Sequence, residues 1–566
     1  MPENADYHHR INPDLLRLIP GNAATVLEIG CAAGQLGAAY KRSNPACRYL
    51  GVELDESIAE KARQHLDQVW SGNVEEFSPS VFRLKRGSVD CLVYGNVLEH
   101  LNDPWALLAA QVPLLKPDGV VLACIPNVQH WSILAGLMQG SWRYRDEGLL
   151  DRTHLRFFTL DTVSEMFEAA GLVVFEVRGR RFDEAGFKDF YQALEPALEA
   201  LNFDKARFQT HAGILQFVVR ATRIPVTASM LVQSLMIPTQ AACNDVRIIH
   251  VNECLVTIPG IEVIQEVGIA SLPKTTVSDK IFILQRPILK YSDLALIEKV
   301  VNAGYLVIAE FDDHPLRWPG IEEKNYLEFR YAHAVQTSTP ALGNYFRQFN
   351  PEVAVFPNQL KELPTLRDIA ETDAPLTVFF GALNREQDWE PLMPAINELI
   401  KRNAGRIRFE VIHDLAFFDA LQTRDKRFTP MCPYDRYCEI LADSDIALLP
   451  LADTEFNVMK SDLKFIEAAA HGAVALASPA VYADTIEAGK TGLLFHDVHE
   501  FSRQFQRLVE LFKVRDKLRR NAYRYVASNR LLSQHIASRL EWYRHLLNNR
   551  KKLEKQRQKR IATMSW

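Results

Sequence analysis

The first 222 residues alternate short, continuous apolar runs with segments of helical periodicity. Uninterrupted apolar runs are typical of parallel strands that are buried on both faces. The predicted strands are Val26–Ile29, Tyr49–Asp55, Val89–Tyr94, Val120–Pro126, Val173–Arg178 and Ile214–Thr222, the last two as a closing hairpin at the sheet edge. Helices are predicted at Leu36–Arg42 and Trp105–Leu115, the latter ended by the breaker cluster Lys116–Gly119. This alternation predicts an α/β fold with a doubly wound parallel sheet.

A second alternation follows a connection of mixed polarity that contains Pro225 and Pro238. Its first set of predicted strands is Val246–Val251, Ile281–Gln285, Tyr305–Glu310, Ala334–Thr337 and Val353–Phe356. Its second set is Leu376–Phe380, Arg408–Ile412, Ile446–Leu449, Val474–Ala477 and Gly492–Phe495. Two successive doubly wound units imply a cleft between them, and such clefts are favoured ligand sites.

Length, charge and cysteine content narrow the class of protein. A chain of 566 residues is too long for one core, and a net charge of −5 argues against binding nucleic acid. The eight cysteines form no CxxC pair or zinc-like ligand cluster, so we expect reduced thiols. There is no signal-peptide pattern and no apolar run that would span a bilayer, so a cytoplasmic protein is expected.

A glycine-rich loop follows the first predicted strand in VLEIGCAAGQLG. Gly30, Gly34 and Gly37 allow a sharp turn and a close approach of a ligand to the backbone. The next strand ends on Glu53, where a carboxylate is placed to accept hydrogen bonds from a ribose diol. The alternative is a structural strand–turn–helix unit with an exposed glutamate.

Further motifs follow this loop: YLGVELD, VDCLVYGNVLEHLNDPWALL, LLKPDGVVLACIPN and GLLDRTHLRFFT. The whole set resembles a class I S-adenosylmethionine-dependent methyltransferase over roughly residues 10–222. The resemblance implies a Rossmann-like domain with S-adenosylmethionine as cofactor. The implied cofactor site comprises Glu28, Gly30, Cys31, Gly34 and Gly37 at the methionine end, Glu53 at the ribose, Asn73 where the family usually has an acid near the adenine, and Asn96. Glu99 and His100 would lie beside the transfer site.

Methyl transfer from a sulfonium depends on in-line approach more than on a strong base. Where the acceptor is a hydroxyl, a nearby histidine could accept its proton, and His100 and His154 are the candidates. Each could equally be a structural hydrogen-bonding group. No metal ion is predicted.

A cationic segment in the second half reads KSDLKFIEAAAHG. On a helix, Lys460, Lys464 and Glu467 would share one face near the helix start. Two cations suit a nucleotide diphosphate and the carboxylate suits its ribose. The alternative is a solvated helix face with an ion pair.

Extended by AVALASP and TGLLF, this segment resembles the donor-binding half of GT-B glycosyltransferases of the group 1 (family 4) type. QRPILKYSDL, AEFDDHP and TSTPALGNYF resemble the opposing half, over roughly residues 245–530 together. The resemblance implies a nucleotide-sugar donor and makes Glu467 the second acid of a paired-Glu motif, whose first acid falls on Met459. The implied donor site is Gly381 and Arg385 in GALNR with Lys460, Ser461, Lys464 and Glu467, of which Lys460 and Glu467 are the catalytic candidates. Asp312 and Asp313 are expected to meet the acceptor sugar or to serve as a loop or cap.

We therefore predict a methyltransferase domain at 1–225, a linker at 226–245, GT-B lobes at 246–373 and 374–530, and a C-terminal helix with a basic tail at 531–566. The predicted function is methylation and glycosylation of a glycan or lipid-linked glycan in surface polysaccharide (O-antigen-like) assembly. The tail, RKKLEKQRQKR, is either a solvated helix end or a weak contact with anionic lipid at the inner membrane face. Two alternatives stay open: a methyltransferase carrying a non-catalytic glycan-binding module, and a methyltransferase of a protein or small molecule with a scaffold domain.

Overall fold

The computed structural model describes residues 10–226, 229–239, 243–372 and 374–564. These residues form two compact units. The first contains the residues up to 226 together with Thr257–Gly260, and the second contains the remainder.

The first unit is built on a seven-stranded sheet of order β3-β2-β1-β4-β5-β7-β6. All neighbours are parallel except β7, which runs antiparallel to β5 and to β6. The strands are β1 (Thr25–Ile29), β2 (Arg48–Glu53), β3 (Gln68–Ser71), β4 (Val89–Gly95), β5 (Leu115–Pro126), β6 (Val173–Arg181) and β7 (Ile214–Thr222). The helices are α1 (Pro13–Leu16), α2 (Gln35–Ser43), α3 (Glu56–Ala62), α4 (Pro104–Gln111), α5 (Trp131–Met138), α6 (Leu160–Ala169), α7 (Glu184–Ala200) and α8 (Lys205–Ala212).

Helices cover both faces of this sheet, which explains why its central strands read as continuous apolar runs. Leu27 and Ile29 belong to the core on one face, whereas Val26 packs with the buried side chains of the other. The carboxyl ends of the parallel strands lie at one edge of the sheet, and the loops that follow β1, β2 and β4 meet there.

The second unit contains two six-stranded sheets whose strands are all parallel. The first sheet has the order β13-β12-β11-β10-β8-β9, and the second has the order β16-β15-β14-β17-β18-β19. The first sheet's strands are β8 (Met230–Met236), β9 (Ile261–Val267), β10 (Lys280–Gln285), β11 (Tyr305–Glu310), β12 (Ala334–Thr337) and β13 (Val353–Val355). Those of the second are β14 (Leu376–Gly381), β15 (Ile407–Ile412), β16 (Lys426–Thr429), β17 (Ile446–Leu449), β18 (Val474–Ala477) and β19 (Leu493–Leu494).

Helices flank both of these sheets. Those on the first-sheet side are α9 (His250–Leu255), α10 (Leu294–Asn302), α11 (Gly320–Glu323), α12 (Leu327–Tyr331) and α13 (Pro340–Phe346). Those that follow are α14 (Glu386–Trp389), α15 (Met393–Arg402), α16 (Leu415–Ala420), α17 (Tyr434–Ala442), α18 (Leu463–His471), α19 (Pro479–Tyr482), α20 (Val498–Glu510), α21 (Phe512–Asn529), α22 (Leu532–Asn548) and α23 (Arg550–Ala562).

The predicted linker at 226–245 is wrong, because it contains the buried strand β8. Gln233 and Ser234 made this strand look polar, yet both are buried and bonded: Gln233 donates to Glu266, and Ser234 accepts from Asn252. The predicted strand at Val246–Val251 is also wrong, because Asp245–Leu255 is helical.

Three further details differ from the sequence-based prediction. The predicted hairpin lies at the sheet edge, but its two antiparallel strands are joined by α7 and α8 rather than by a tight turn. The breaker cluster at Lys116–Gly119 lies within β5, where the pairing with β4 jumps from Val89–Leu115 to Cys91–Val120. The four-residue strands β3 and β16 and the seven-residue strand β9 were not predicted.

The C-terminal helices pack back onto the first sheet of the second unit. The Tyr543 hydroxyl donates to Gln336 at 3.1 Å, and the buried Arg557 guanidinium pairs with Glu298 at 2.8 Å and with Glu554 at 2.7 Å. The basic tail is therefore a docked helix whose lysines remain exposed, rather than a freely solvated end.

Candidate active sites

The glycine loop of the first unit turns tightly at Gly30, whose φ is +73°. Its amide donates to the Val52 carbonyl at 2.8 Å, and a Cβ at this position would lie 2.3 Å from Cγ2 of Val97. The loops after β1 and β4 therefore approach so closely that only glycine fits. Gly34 (φ +80°) is the N-cap of α2.

Glu53 ties this loop to the end of β2. Its Oε2 accepts from the Ala32 amide at 2.9 Å, and its Oε1 accepts from the amides of Leu54 at 2.9 Å and Asp55 at 3.2 Å. The half-buried carboxylate is thus held in place by backbone groups, with lone pairs left for a ribose diol.

Gly37 and Cys31, which are predicted at the methionine end, are closely packed in the structure. A Cβ on Gly37 would lie 2.7 Å from the Tyr49 ring, so this glycine lets α2 approach the sheet. The Cys31 side chain is buried against Gly51. Glu28 accepts from the Tyr49 hydroxyl at 3.0 Å, and burial raises the pKa of Glu28 to about 8.

Each of the two predicted asparagines accepts a hydrogen bond within the first unit. Asn73 caps a short helical turn by accepting from the Glu75 amide at 3.1 Å. Asn96, at a φ of +56°, accepts from the Gln216 side chain at 3.3 Å. Gln216, on β7, was missed because its contact depends on the position of that strand.

The turn after β4 brings Glu99 and His100 next to His154. The two imidazole rings are 4.8 Å apart, and one potential ligand atom from each of the three residues lies within 4.8 Å of the others. Glu99 is 1% exposed, and burial, with a smaller contribution from the charge of Asp151, raises its pKa to about 8. Burial and the neighbouring His100 lower the pKa of His154.

The second unit contains a cavity of about 300 Å³ whose lining comes from both of its sheets. All eight residues predicted for the donor and acceptor sites line it: Asp312, Asp313, Gly381, Arg385, Lys460, Ser461, Lys464 and Glu467. Segments separated by up to 155 positions in the sequence thus converge on one cavity.

Glu467 lies on α18 and is 2% exposed. Its Oε1 accepts from the Tyr434 hydroxyl at 3.0 Å and its Oε2 from the Tyr437 hydroxyl at 3.1 Å. Burial raises the pKa of Glu467, although the Lys464 charge and the tyrosine hydrogen bonds oppose that rise. Lys464 itself donates to the Gly381 carbonyl.

Lys460 and Ser461 precede α18 in a loop, so they are not on the predicted helix face. The Lys460 ammonium lies 3.4 Å from Oδ1 of Asp313, which also pairs with Arg317 at 2.9 Å. Burial lowers the pKa of Lys460 to about 8, and Asp313 only partly offsets this. Asp312 pairs with Arg286 at 2.6 Å.

Arg385 donates to Asp388 at 3.0 Å and to Asn457 at 2.9 Å, and Ser461 accepts from Asn358 at 2.8 Å. Met459, at the place of the first motif acid, packs against the core of the first sheet and accepts from Thr339 through its carbonyl. No carboxylate therefore replaces the motif acid at position 459.

The cavity is also lined by three residues that were not predicted from the sequence: Arg286, Tyr434 and Tyr437. Arg286 directly follows β10, and Asp312 comes soon after the neighbouring strand β11. Because neighbouring parallel strands end at the same sheet edge, the pairing of Arg286 with Asp312 could have been predicted from the sequence. The tyrosines could not, because their contact with Glu467 depends on the packing of α17 against α18.

Comparisons with known proteins agree with this two-part architecture. Residues 4–177 match a family model described as Methyltransferase domain, and residues 393–541 match one described as Glycosyl transferase-like. The expectations of an α/β fold and of a methyltransferase-like domain followed by a glycosyltransferase-like domain are therefore confirmed.

Individual relatives resemble only parts of the chain. An uncharacterized 37.1 kDa transposon protein of Streptomyces fradiae is 33% identical over 115 residues, which cover 20% of this chain and 33% of that protein. Ubiquinone biosynthesis O-methyltransferase of Rhodopseudomonas palustris is 29% identical over 166 residues, covering 28% and 62%. A TarM mutant of S. aureus, solved with fondaparinux, alpha-GlcNAc-glycerol and UDP, has a TM-score of 0.37 and 14% identity, covering 48% and 56%. Among the helices described, none is long and apolar enough to cross a membrane.

Proposed function

We propose that this chain carries two transferase sites, one moving a methyl group from S-adenosylmethionine and one moving a sugar from a nucleotide-sugar donor, both toward surface polysaccharide. The observation that carries the proposal is the convergence of the eight predicted donor and acceptor residues on one cavity. A set of chemically matched residues that comes together from distant segments favours a binding site over scattered surface charges.

On the methyltransferase side, the tight loop at Gly30 and the oriented carboxylate of Glu53 fit a nucleoside cofactor. S-adenosylmethionine would supply the methyl group, and the protein would position the acceptor in line with it. The acceptor atom is proposed to be a hydroxyl oxygen, as the name of the ubiquinone biosynthesis O-methyltransferase relative suggests.

On the glycosyltransferase side, Lys460 and Lys464 offer positive charge for a diphosphate, and Glu467 offers an acceptor for ribose hydroxyls. Negative charge grows on the departing diphosphate during sugar transfer, so cations fixed in a small cavity lower the barrier. Asp312 and Asp313 would meet the acceptor glycan with carboxylates that are already paired with cations.

A lipid-linked glycan would place the enzyme at the cytoplasmic face of a membrane. Lys551, Lys552, Lys555 and Lys559 are the exposed lysines of α23. Exposed lysines on a docked helix suit a weak contact with anionic headgroups.

Transfer or slow hydrolysis across a panel of nucleotide sugars tests the second site. Glu467→Gln is expected to reduce turnover strongly, and Lys460→Ala to lower turnover more than donor affinity. A tenfold loss corresponds to about 1.4 kcal/mol of barrier. Lys517→Ala, which removes an exposed lysine of α21, is the matched control and should leave both parameters unchanged.

The second candidate function for this unit is non-catalytic glycan binding, and Met459 is the observation that favours it. It predicts that the wild type turns over none of the donors yet still binds glycans. That result would leave the methyltransferase as the single enzyme of the pair.

A further inference from the structure

Three side chains beside the proposed methyl-transfer site form a set of metal-ligand type. Glu99 and His100 come from the turn after β4, and His154 comes from the loop before α6. The Glu99 carbonyl accepts from the amides of Leu155 at 2.8 Å and Arg156 at 3.0 Å, which fixes that loop against the turn. The three residues are therefore held together by the backbone.

Both imidazoles have a backbone carbonyl oxygen next to Nδ1. Nδ1 of His100 lies 3.2 Å from the Thr153 carbonyl oxygen, and Nδ1 of His154 lies 3.2 Å from the Leu149 carbonyl oxygen. The Thr153 hydroxyl, which donates to Asp151, also lies 3.1 Å from Nδ1 of His100. A carbonyl oxygen can only accept, so these contacts favour a neutral ring with its proton on Nδ1 and a lone pair on Nε2. This outer hydrogen bond is the arrangement that fixes the tautomer of metal-binding histidines.

Glu99 supplies an independent indication of a ligand. Its side chain is 1% exposed, and within the described ranges neither carboxylate oxygen has a hydrogen-bond partner. Buried polar groups are nearly always satisfied, so two unsatisfied oxygens on one carboxylate call for a partner. A cation held between this carboxylate and one ring nitrogen of each histidine, three atoms that lie within 4.8 Å of one another, would satisfy both.

We propose that Glu99, His100 and His154 bind a divalent transition-metal cation such as Zn²⁺. Two imidazoles and one carboxylate are the ligand set of metal sites that keep open positions for substrate. This proposal deepens the proposed methyl transfer: the open position would take the acceptor hydroxyl. A metal-bound hydroxyl loses its proton more readily, so the cation would take over the role first assigned to a histidine base.

In the proposed methyl transfer, each bond that forms is matched by one that breaks. The acceptor O–H bond breaks and its proton goes to solvent water. The oxygen lone pair then forms the O–CH₃ bond while the S–CH₃ bond breaks, and that electron pair stays on sulfur. The sulfonium becomes the neutral thioether of S-adenosylhomocysteine.

Calorimetry with ZnCl₂ on the chelator-treated full chain tests the site, without cofactor or acceptor. One high-affinity site is expected, and Glu99→Gln, His100→Ala and His154→Ala should each weaken it at least tenfold. Glu165→Gln and His65→Ala remove an exposed acid and an exposed histidine of the same unit, so they should bind as the wild type does. Equal affinity in wild type and the three ligand variants would overturn the site.

Thermal unfolding gives a second measurement of zinc binding, which is needed if one of the ligand variants folds poorly. Zn²⁺ should raise the unfolding temperature of the wild type and of both controls, but not that of Glu99→Gln, whose amide is nearly isosteric with the carboxylate. A zinc-induced rise of the same size in Glu99→Gln would contradict the proposal. Co²⁺ in place of Zn²⁺ should give visible absorption bands that disappear in His100→Ala and His154→Ala.

The failure of this proposal can be told apart from failure of the proposed function. If the chelator-treated enzyme methylates as fast as the zinc-loaded one, methyl transfer stands and the role of the cation is refuted. If zinc binds at these residues but no hydroxyl compound is methylated, the metal site stands and the proposed function fails.

Discussion

The burial of Lys460 is the main cause of a predicted pH dependence of stability. Its side chain is 14% exposed and lies beside Asp313, with the positive charges of Arg385 and Arg317 nearby. Burial lowers the pKa of Lys460 from the ordinary 10.5 to about 8. The perturbation is Lys460→Met, which keeps the apolar bulk of the side chain and removes the titrating group.

The lowered pKa of Lys460 determines both the sign and the size of the change in the free energy of unfolding with pH. The unfolded chain retains this proton up to about pH 10.5, whereas the folded chain releases it near pH 8, so the folded state binds fewer protons between these values. Stability contributed by this group therefore rises with pH across that window. The difference of about 2.5 pH units corresponds to about 3 kcal/mol.

Urea unfolding of wild type and Lys460→Met at a series of pH values measures the effect. The two units can unfold in separate transitions, so the free energy is taken from the transition that Lys460→Met shifts. From about pH 7 to about pH 10, the wild-type free energy of unfolding should rise by about 2–3 kcal/mol relative to Lys460→Met. Lys517→Met, on the surface, should track the wild type at every pH.

A difference between wild type and Lys460→Met that stays constant with pH would refute the reasoning. Lys460 would then keep its ordinary pKa in the folded protein, and its ammonium would have to be solvated. The proposed diphosphate site would then lack a buried cation at Lys460.

Four other outcomes are expected. Glu53→Ala should weaken S-adenosylmethionine binding by about 1–3 kcal/mol in calorimetry, because hydroxyl donors and the Ala32 amide lose their acceptor, and equal affinities would exclude the ribose contact. Gly30→Val should stop methylation by forcing its side chain onto Val97, while sugar transfer to an acceptor that needs no methyl group persists; loss of both activities in a folded variant would show coupled sites. Arg557→Met should lower the free energy of unfolding by about 1–3 kcal/mol, with the exposed Lys559→Met as a near-neutral control, because Glu298 and Glu554 lose a shared cation. Exchanging Lys551, Lys552, Lys555 and Lys559 for glutamate should abolish flotation with anionic vesicles, at about 1 kcal/mol per lysine, and unchanged flotation would remove the proposed membrane contact.

Much of the fold could be predicted from local pattern. Strands such as Tyr305–Glu310, Ala334–Thr337 and Ile446–Leu449 have the predicted bounds, since an apolar run between breakers is itself the cause of a doubly buried strand. Prediction failed where tertiary contacts override that pattern. Gln233 is accepted within β8 because Glu266 bonds it, and the β-prone 246–251 segment is helical, with Arg247 buried against Glu310.

The candidate sites likewise have features that could be predicted from the sequence and features that depend on tertiary contacts. The sequence by itself determined which chemical groups are available: the loop glycine at Gly30, the acid Glu53 at a strand end, and the cations Lys460 and Lys464. These follow from residue type and short-range spacing.

Only the tertiary structure decided what those groups do together. In the folded protein both carboxylate oxygens of Glu467 accept hydrogen bonds from tyrosine hydroxyls. Lys460 pairs with Asp313, and the buried Glu99 carboxylate lies beside His100 and His154. The physical reason is that hydrogen bonding and burial are set by the distance between side chains from remote segments. The order of residues along the chain does not contain that distance until the sheets and helices have packed.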